Sequence, residues 1–307
     1  MQITFLGTSS GTPSRTRNVS SVALRLESGE VWLFDCGEGT QHRLQLSNLR
    51  ASRIRRIFIT HLHGDHVLGL VGLLNSLGLA GDPGRVDVYG PDGIDEFLAQ
   101  NLRLTHTHLA YPVQAHVVSP GLVYEDAFMK VRAAELRHVV KDFGYRVEEK
   151  PRPGRLDAAR AAELGVPNGP LLGRLKAGED VELEDGRVIR GADLRAAPEP
   201  GRVFAYLTDT AFCEASVELA RDADLVVHEA TYTSADMVRM PDRLHSTAAI
   251  AAEVARRAGA HRLVLTHFSP RYLSTDEHLA EARAIFPETI AAEDLSTVEV
   301  PRRRVTG

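Results

Sequence analysis

The chain has 307 residues, of which 43% are hydrophobic and 25% charged, with a formal net charge of −5. These values are typical of a soluble globular protein with a sizeable core in one or two domains. The sequence contains neither an apolar run of the roughly 18 residues that a membrane span needs nor a secretory signal at its start, so no membrane association is expected.

The N-terminal half predicts short strands and two helices. Runs rich in β-branched and aromatic residues, bounded by Gly, Ser or Asp, are typical of strands. Such runs occupy Ile3–Leu6, Val22–Leu26, Val31–Phe34, Ile54–Ile59, Val86–Tyr89, Ala127–Glu135 and Gly144–Glu149. The Leu- and Val-rich segment Val67–Leu79 predicts a buried helix, and Ile94–Leu104 predicts an amphipathic one after a Pro-Asp-Gly turn.

Residues 150–195 differ from their surroundings because Pro and Gly recur throughout them. Pro and Gly at this density predict an extended, protruding insertion with little core of its own. We therefore expect one core domain made of residues 1–149 and 196–307. The insertion is expected to form a separate arm on that core.

Strand–helix alternation returns in the last third. Val203–Leu207, Leu225–Val227 and Leu263–Leu265 predict strands, and Ser246–Arg257 predicts an Ala-rich helix with a Ser or Thr cap. The fold class is therefore α/β, in layers. Arg56–His61 resembles Arg262–His267, each an apolar strand ending in Thr-His. The match is either chance or a sign that two half-structures deliver histidines to a shared cleft.

Only two cysteines, Cys36 and Cys213, occur in the chain. They lie far apart and form no CxxC pair, which suits a reducing cytoplasm with both residues as small core side chains. The net charge does not indicate a nucleic-acid binder, but a local basic stripe matters more than the total.

The segment His61-Leu62-His63-Gly64-Asp65-His66 is the strongest chemical signal in the sequence. It brings four imidazole or carboxylate groups directly after an apolar strand, and these are ligands that suit zinc. Gly64 permits the tight turn that such a loop needs. A surface loop that is His-rich by accident is the weaker alternative.

Two metal ions need more ligands than the four side chains of this loop can supply. Three further candidates stand at predicted strand ends: His138, Asp209 and His267. A single histidine after a strand is more often a satisfied structural residue. Together with the first motif, the three predict the remainder of a binuclear site.

The distribution of these residues resembles the metallo-β-lactamase superfamily, and more narrowly its ribonuclease Z family. Matching segments are Phe5–Thr8, Phe34–Glu38, Phe58–His66, Phe143–Arg146, His228–Thr231, His245–Thr247 and Leu265–His267. The resemblance implies an αβ/βα sandwich with a protruding flexible arm and two Zn²⁺ per subunit, Mn²⁺ being the alternative ion. The implied ligands are His61, His63 and His138 for one metal, Asp65, His66 and His267 for the other, and Asp209 as the bridge.

The same resemblance implies catalytic roles. Asp65 would orient and deprotonate the attacking water. His245 would protonate the leaving oxygen, and Glu229 would favour its charged form. Without the resemblance, His245 could equally be a residue beside a helix N-terminus with no chemistry, where the helix dipole disfavours a cation.

Two segments resemble the family's substrate-binding regions. Arg17 and Asn18 lie in a loop that resembles PxKxRN, with Arg15 where Lys is common. In the arm, the candidate substrate-binding residues are Gly169, Pro170, Arg174 and Lys176, although acidic residues nearby balance the charge and also fit an ordinary solvated loop. A further departure is Thr208, where relatives often carry a small residue before the bridging Asp.

The resemblance implies a cytoplasmic, homodimeric endoribonuclease that removes the 3′ trailer from precursor tRNA after the discriminator base. The alternative is another two-metal hydrolase of the superfamily, acting on a small phosphodiester, a sulfate or a thioester, because fold does not settle chemistry. A third possibility is a non-catalytic protein of the family that only binds tRNA. Such a protein would not need all seven ligands, which this chain retains.

Overall fold

The computed structural model describes residues 1–79, 83–238 and 243–302. The strands found there are β1 Gln2–Gly7, β2 Ser21–Arg25, β3 Val31–Phe34, β4 Ile54–Phe58, β5 Val86–Gly90, β6 Val113–Val117, β7 Gly121–Glu125, β8 Met129–Glu135, β9 Phe143–Glu149, β10 Val181–Glu182, β11 Val188–Ile189, β12 Val203–Leu207, β13 Leu225–Glu229, β14 Leu263–Thr266, β15 Thr289–Ala291 and β16 Thr297–Glu299. The α-helices are α1 Thr40–Leu46, α2 Gly64–Val67, α3 Leu70–Leu79, α4 Ile94–Leu104, α5 Ala158–Glu163, α6 Pro170–Ala177, α7 Glu214–Ala220, α8 Ser234–Met237, α9 Ala248–Ala258 and α10 Asp276–Arg283.

Met1–Glu148 and Arg202–Pro301 form one compact unit built on two sheets. In the described residues their strand orders are β16-β1-β2-β3-β4-β5-β6 and β15-β14-β13-β12-β9-β8-β7. Aromatic side chains from both sheets fill the space between them: the rings of Phe34 and Phe204 lie 5.4 Å apart, and those of Phe58 and Tyr145 5.3 Å apart. These contacts join the two sheets as a sandwich.

Helices cover the outer face of each sheet. Leu44 of α1, Leu70 of α3 and Ile94 of α4 pack in one apolar cluster with strands of the first sheet. On the second sheet, α9 buries an alanine face beside α7 and α10. The Thr247 side chain caps α9 by accepting a hydrogen bond from the Ile250 N–H. The layers are therefore helix, sheet, sheet, helix, as the expected metallo-β-lactamase-like sandwich requires.

Parallel pairing gathers strand ends at one edge of each sheet. β3, β4 and β5 are parallel neighbours, and so are β12, β13 and β14. Asp35 and His61 follow β3 and β4, while Asp209 and His267 follow β12 and β14. The two strands that resemble each other in sequence, β4 and β14, thus occupy different sheets and each is followed by a histidine.

The second compact unit is Glu149–Gly201 together with Arg302. It contains α5, α6 and the β10–β11 hairpin. Seven hydrophobic residues of this unit are buried in one cluster: Ala161, Val166, Leu175, Val181, Leu183, Ile189 and Leu194. The prediction of an insertion with little core of its own was therefore wrong. Two short α-helices, the β10–β11 hairpin and the 3-10 helix Gly191–Leu194 supply most of its apolar side chains.

Two compositional expectations bear on the fold. Cys36 and Cys213 are both free thiols; Cys36 is buried in the core, and Cys213 packs at the edge of it. Among the described residues, no helix combines the length and the apolar composition that crossing a bilayer requires.

Candidate metal centre

Three residues of the centre follow strands in a left-handed backbone conformation. The φ angles of Asp35, Asp209 and His267 are 59°, 52° and 59°. Asp, Asn and His are the non-glycine residues that adopt this region most readily, and such residues cluster at functional sites. The conformation turns the chain sharply at the strand end, which brings the side chains to the centre.

The first group of potential ligands combines three histidines with Asp209. One side-chain atom from each of His61, His63, His138 and Asp209 lies within 4.8 Å of all the others. His63 Nδ1 is 2.9 Å from His61 Nε2 and 3.4 Å from His138 Nε2. Imidazole nitrogens that converge in this way provide the ligand set of a transition-metal ion.

The second group consists of Asp65, His66 and His267, whose ligand atoms also lie within 4.8 Å of one another. The Nε2 atoms of His66 and His267 are 3.3 Å apart. Asp65 Oδ2 is 3.4 Å from the first and 3.5 Å from the second. Asp65 is further held by the Gly11 N–H, which donates to Oδ2 at 2.7 Å.

Asp209 faces both groups at once. Its Oδ2 lies 3.7 Å from His61 Nε2 and 3.9 Å from His138 Nε2. Its Oδ1 lies 3.3 Å from His66 Nε2 and 3.0 Å from His267 Nε2. A carboxylate whose two oxygens point to separate histidine clusters is placed to bridge two cations. Thr208, the departure noted in the sequence, donates its hydroxyl to Asp209 Oδ1 at 2.9 Å.

The second ring nitrogen of four histidines has its own partner. The contacts are His66 Nδ1 to Asp35 Oδ2 at 2.9 Å, His267 Nδ1 to Thr231 Oγ1 at 3.0 Å, His61 Nδ1 to Thr60 Oγ1 at 3.0 Å and His138 Nδ1 to the Leu244 carbonyl at 3.3 Å. Asp142 Oδ1 also lies 3.2 Å from His61 Nδ1. Partners on one nitrogen orient the ring and leave the other nitrogen for a metal. Sequence reasoning missed Asp142, and it quoted Asp35 and Thr231 only as parts of matching segments.

The electrostatics of the centre favour positive charge. Burial raises the pKa of Asp209, but His267 and His66 outweigh it and hold the pKa well below its usual value. Burial lowers the pKa of His66, yet Asp209 and Asp35 raise it well above the ordinary value. Burial and the nearby His66 lower the pKa of His61 to about 2, which keeps its imidazole neutral. The ionised carboxylate of Asp209 and the neutral imidazole of His61 fit a divalent cation such as zinc, whereas His66 must lose its proton before it can bind one.

A buried acid–histidine pair stands beside the two ligand groups. Glu229 Oε1 lies 3.0 Å from His245 Nδ1 and also accepts the Thr210 N–H at 2.7 Å. Burial lowers the pKa of His245, but the charge and hydrogen bond of Glu229 outweigh it and raise the pKa to about 9. His245 Nδ1 is 4.0 Å from Asp209 Oδ2. A charged imidazole is thus held next to the Asp209 carboxylate.

The N-terminal loop presents its candidate residues in an unexpected way. The Arg17 guanidinium donates to Thr8 Oγ1 at 2.8 Å and lies over the Phe268 ring at 4.8 Å. Asn18 donates its side-chain amide to the Glu38 carbonyl at 2.7 Å. Both side chains fix the loop to the core, whereas Arg15 is exposed.

The four candidates of the insertion lie around α6. Gly169, with φ 142°, precedes the helix, and Pro170 is its first residue. Arg174 and Lys176 are both exposed, and Arg174 pairs with Glu179 at 2.8 Å. None of the four belongs to the compact unit that holds the metal centre.

Comparisons with known proteins agree with this architecture. A family model described as "Beta-lactamase superfamily domain" matches residues 187–268, and one described as "Anti-Pycsar protein Apyc1" matches residues 1–114. The protein named Ribonuclease Z of Cyanothece sp. is 57% identical, over 98% of this chain and 96% of its own length. That of Nostoc sp. is 55% identical, over 99% and 96%. The crystal structure of human tRNase Z, short form, superposes with a TM-score of 0.72 at 33% identity, covering 98% of this chain and 100% of its own.

Proposed function

The chain belongs to the ribonuclease Z family, and we propose that it is a zinc-dependent endoribonuclease that removes the 3′ trailer from precursor tRNA. Cleavage follows the discriminator base, leaving a 3′-hydroxyl on the tRNA and a 5′-phosphate on the trailer. The observation that carries the proposal is the placement of Asp209, whose two oxygens face the two ligand groups. When bound, two Zn²⁺ would neutralise the phosphate and acidify a water molecule.

The chain's own residues divide the proton transfers between them. Asp65, held by the Gly11 N–H, orients the attacking water and takes its proton. The water oxygen bonds to phosphorus while the bond from phosphorus to O3′ breaks. His245 gives the proton that O3′ needs from Nε2, the nitrogen that Glu229 does not engage. Glu229 keeps the ring charged and oriented without contacting the substrate.

The insertion supplies the grip on the tRNA in this proposal. Its exposed cations Arg174 and Lys176 contact phosphates, and the turn at Gly169–Pro170 starts the helix that carries them. The N-terminal loop receives the acceptor end, with Arg17 and Asn18 fixing its shape. The protein acts as a homodimer, in which one subunit's insertion serves the site of the other.

The decisive experiment maps the products. Metal-loaded protein is incubated with 5′-labelled precursor tRNA, and we expect one cut, after the discriminator base, with a 3′-hydroxyl on the labelled fragment. Asp65→Ala should abolish the cut because it removes both a ligand and the base. Asp95→Ala, which changes an exposed carboxylate on α4, is the matched control and should cut normally.

Two results would contradict the proposal. Hydrolysis of a small aryl phosphodiester without any cut in precursor tRNA would favour a small-molecule hydrolase of the superfamily. Binding of tRNA with no turnover of either substrate would favour the non-catalytic reading.

A further inference from the structure

A concavity of about 550 Å³ lies at the end of the first sheet away from the metal centre. Its lining residues are Arg25, Gly29, Val31, Asn48, Arg50 and Arg53. Val31 is the first residue of β3, and Arg53 directly precedes β4. Asp35 and His61 follow the other ends of these strands, and β3 alone spans about 13 Å. The concavity is therefore separate from the site of chemistry.

Three guanidinium groups from two chain segments line this concavity. Arg25 ends β2, Arg50 precedes the short 3-10 helix Ala51–Arg53, and Arg53 ends that helix. Among the residues that the structure describes, none of the three forms an ion pair with a carboxylate. Like charges gathered without counter-charges repel one another, so an anion bound between them is stabilised.

Arg53 is held in place by the turn between β2 and β3. Its Nη2 donates to the Ser28 carbonyl at 2.7 Å, and its Nε donates to the Gly29 carbonyl at 3.2 Å. Gly29 has φ 80°, and a Cβ there would come within 3.1 Å of Nη2. These contacts leave Nη1 to donate elsewhere. A guanidinium fixed before binding loses less conformational entropy when it meets an anion.

The carboxylates of the same turn are engaged elsewhere. Glu27 pairs with Arg202 at 2.6 Å. Glu30 pairs with Arg56 and accepts the Trp32 indole N–H at 2.7 Å. The turn thus offers its backbone carbonyls to Arg53 and directs its acidic side chains to other arginines. Among the described residues, no ion pair compensates the positive charge of the concavity.

We propose that this concavity binds a phosphate group. Arg25 approaches from one chain segment and Arg50 and Arg53 from another, which suits the tetrahedral oxygens of a phosphate better than the two coplanar oxygens of a carboxylate. Asn48 adds an amide donor to the lining. The phosphate belongs either to the backbone of a bound RNA, in which case the site rests on the proposed function, or to a free phosphate compound. In both cases the phosphate that binds here lies outside the metal centre.

The test compares Arg50→Gln/Arg53→Gln with Arg55→Gln. Arg55 lies in the same arginine-rich segment, but it donates to the Ser52 and Ile54 carbonyls and does not line the concavity. The affinity of holoenzyme for mature tRNA is measured at several salt concentrations, and its affinity for inorganic phosphate is measured by calorimetry at fixed ionic strength. Hydrolysis of a small aryl phosphodiester should be unchanged in every variant.

If RNA supplies the phosphate, the double variant raises the tRNA Kd about tenfold, and the slope of log Kd against log salt falls by about one per lost contact. If a free compound supplies it, the parent shows a saturable phosphate site that the double variant lacks, while its tRNA affinity is unchanged. Behaviour like that of Arg55→Gln in both assays would overturn the proposal. Arg50→Glu gives a second variant with an intact fold, because the Arg50 side chain is exposed and its guanidinium is not needed for the turn.

Discussion

The metal centre and the insertion Glu149–Gly201 hold their charged residues in opposite ways. In the centre, candidate ligands such as His61 and His66 are fully buried, and the Nδ1 atom of each has its own partner. In the insertion, exposed pairs join residues that are close in sequence, such as Arg160 with Glu163 at 2.8 Å. Exposed pairs of this kind contribute about 0–1 kcal/mol. A single substitution should therefore be severe in the centre, whereas in the insertion only a collective change should be felt.

The largest effect is expected from Asp209→Asn. The substitution keeps the size of the side chain but removes the charge that faces both ligand groups. Loss of metal chemistry worth several kcal/mol lowers the rate about a thousandfold or more. Metal per chain after dialysis and hydrolysis of an aryl phosphodiester are the measurements.

A control for that variant exists in the same chain. Asp222 is also an aspartate with a left-handed backbone, φ 51°, but it is exposed and remote from the ligands. Asp222→Asn should retain metal and activity. If Asp209→Asn behaves in the same way as Asp222→Asn, the bridging assignment is wrong.

A smaller effect is expected from Glu229→Gln, because Glu229 acts through His245. The protonated ring is the active form, so the rate on precursor tRNA falls as pH rises through the His245 pKa of about 9. Without the carboxylate charge this pKa drops, and the fall begins at lower pH. At pH 8 the loss should lie between about 10- and 100-fold.

The leaving group separates this role from a structural one. An aryl phosphodiester releases a phenolate that needs no proton, so its hydrolysis by Glu229→Gln should stay close to that of the parent, with metal content unchanged. The pH profile of kcat/KM on precursor tRNA is the measurement. If kcat/KM falls at the same alkaline pH in the parent and in Glu229→Gln, Glu229 does not control the proton donor.

The convergence of the candidate ligands could be predicted from sequence where they follow apolar parallel strands, as His61, Asp209 and His267 do. Parallel neighbours end at one edge, so strand-end histidines and aspartates converge there. The outer partners could not be predicted in this way. Asp142 lies in a loop before β9 and reaches His61 only through the fold. A lone carboxylate or hydroxyl carries no pattern of its own.

Secondary structure was predictable where residue patterns are strong. The amphipathic helix Ile94–Leu104 was predicted with its observed limits. The edge strands β6 and β7 were missed because they are only partly buried, which weakens the apolar signal. The predicted helix Val67–Leu79 is split at Gly69, whose N–H donates to the Cys36 carbonyl. A Cβ atom at this position would lie 2.0 Å from the Gly37 carbonyl oxygen, so only glycine fits. Close approaches of this kind depend on tertiary structure.

Removal of the insertion is expected to weaken the binding of precursor tRNA and to leave small substrates unaffected. Arg152 and Glu199 exchange both backbone hydrogen bonds at 2.9 Å, so a two-residue Asn-Gly turn can replace residues 153–198 between them. The replacement removes the whole buried cluster of the insertion at once, leaving no exposed half-core. The KM for precursor tRNA should rise about tenfold as several phosphate contacts are lost together.

An aryl phosphodiester tests whether replacing the insertion affects only the binding of tRNA. Hydrolysis of an aryl phosphodiester by the shortened protein should stay within about twofold of the parent, because every candidate ligand belongs to the other compact unit. Arg174→Gln/Lys176→Gln in the full chain isolates the charge contribution and should raise the KM by less than the replacement does, since one of its two cations is already paired with Glu179. Equal losses on both substrates would mean that the insertion supports the metal centre instead of holding the tRNA.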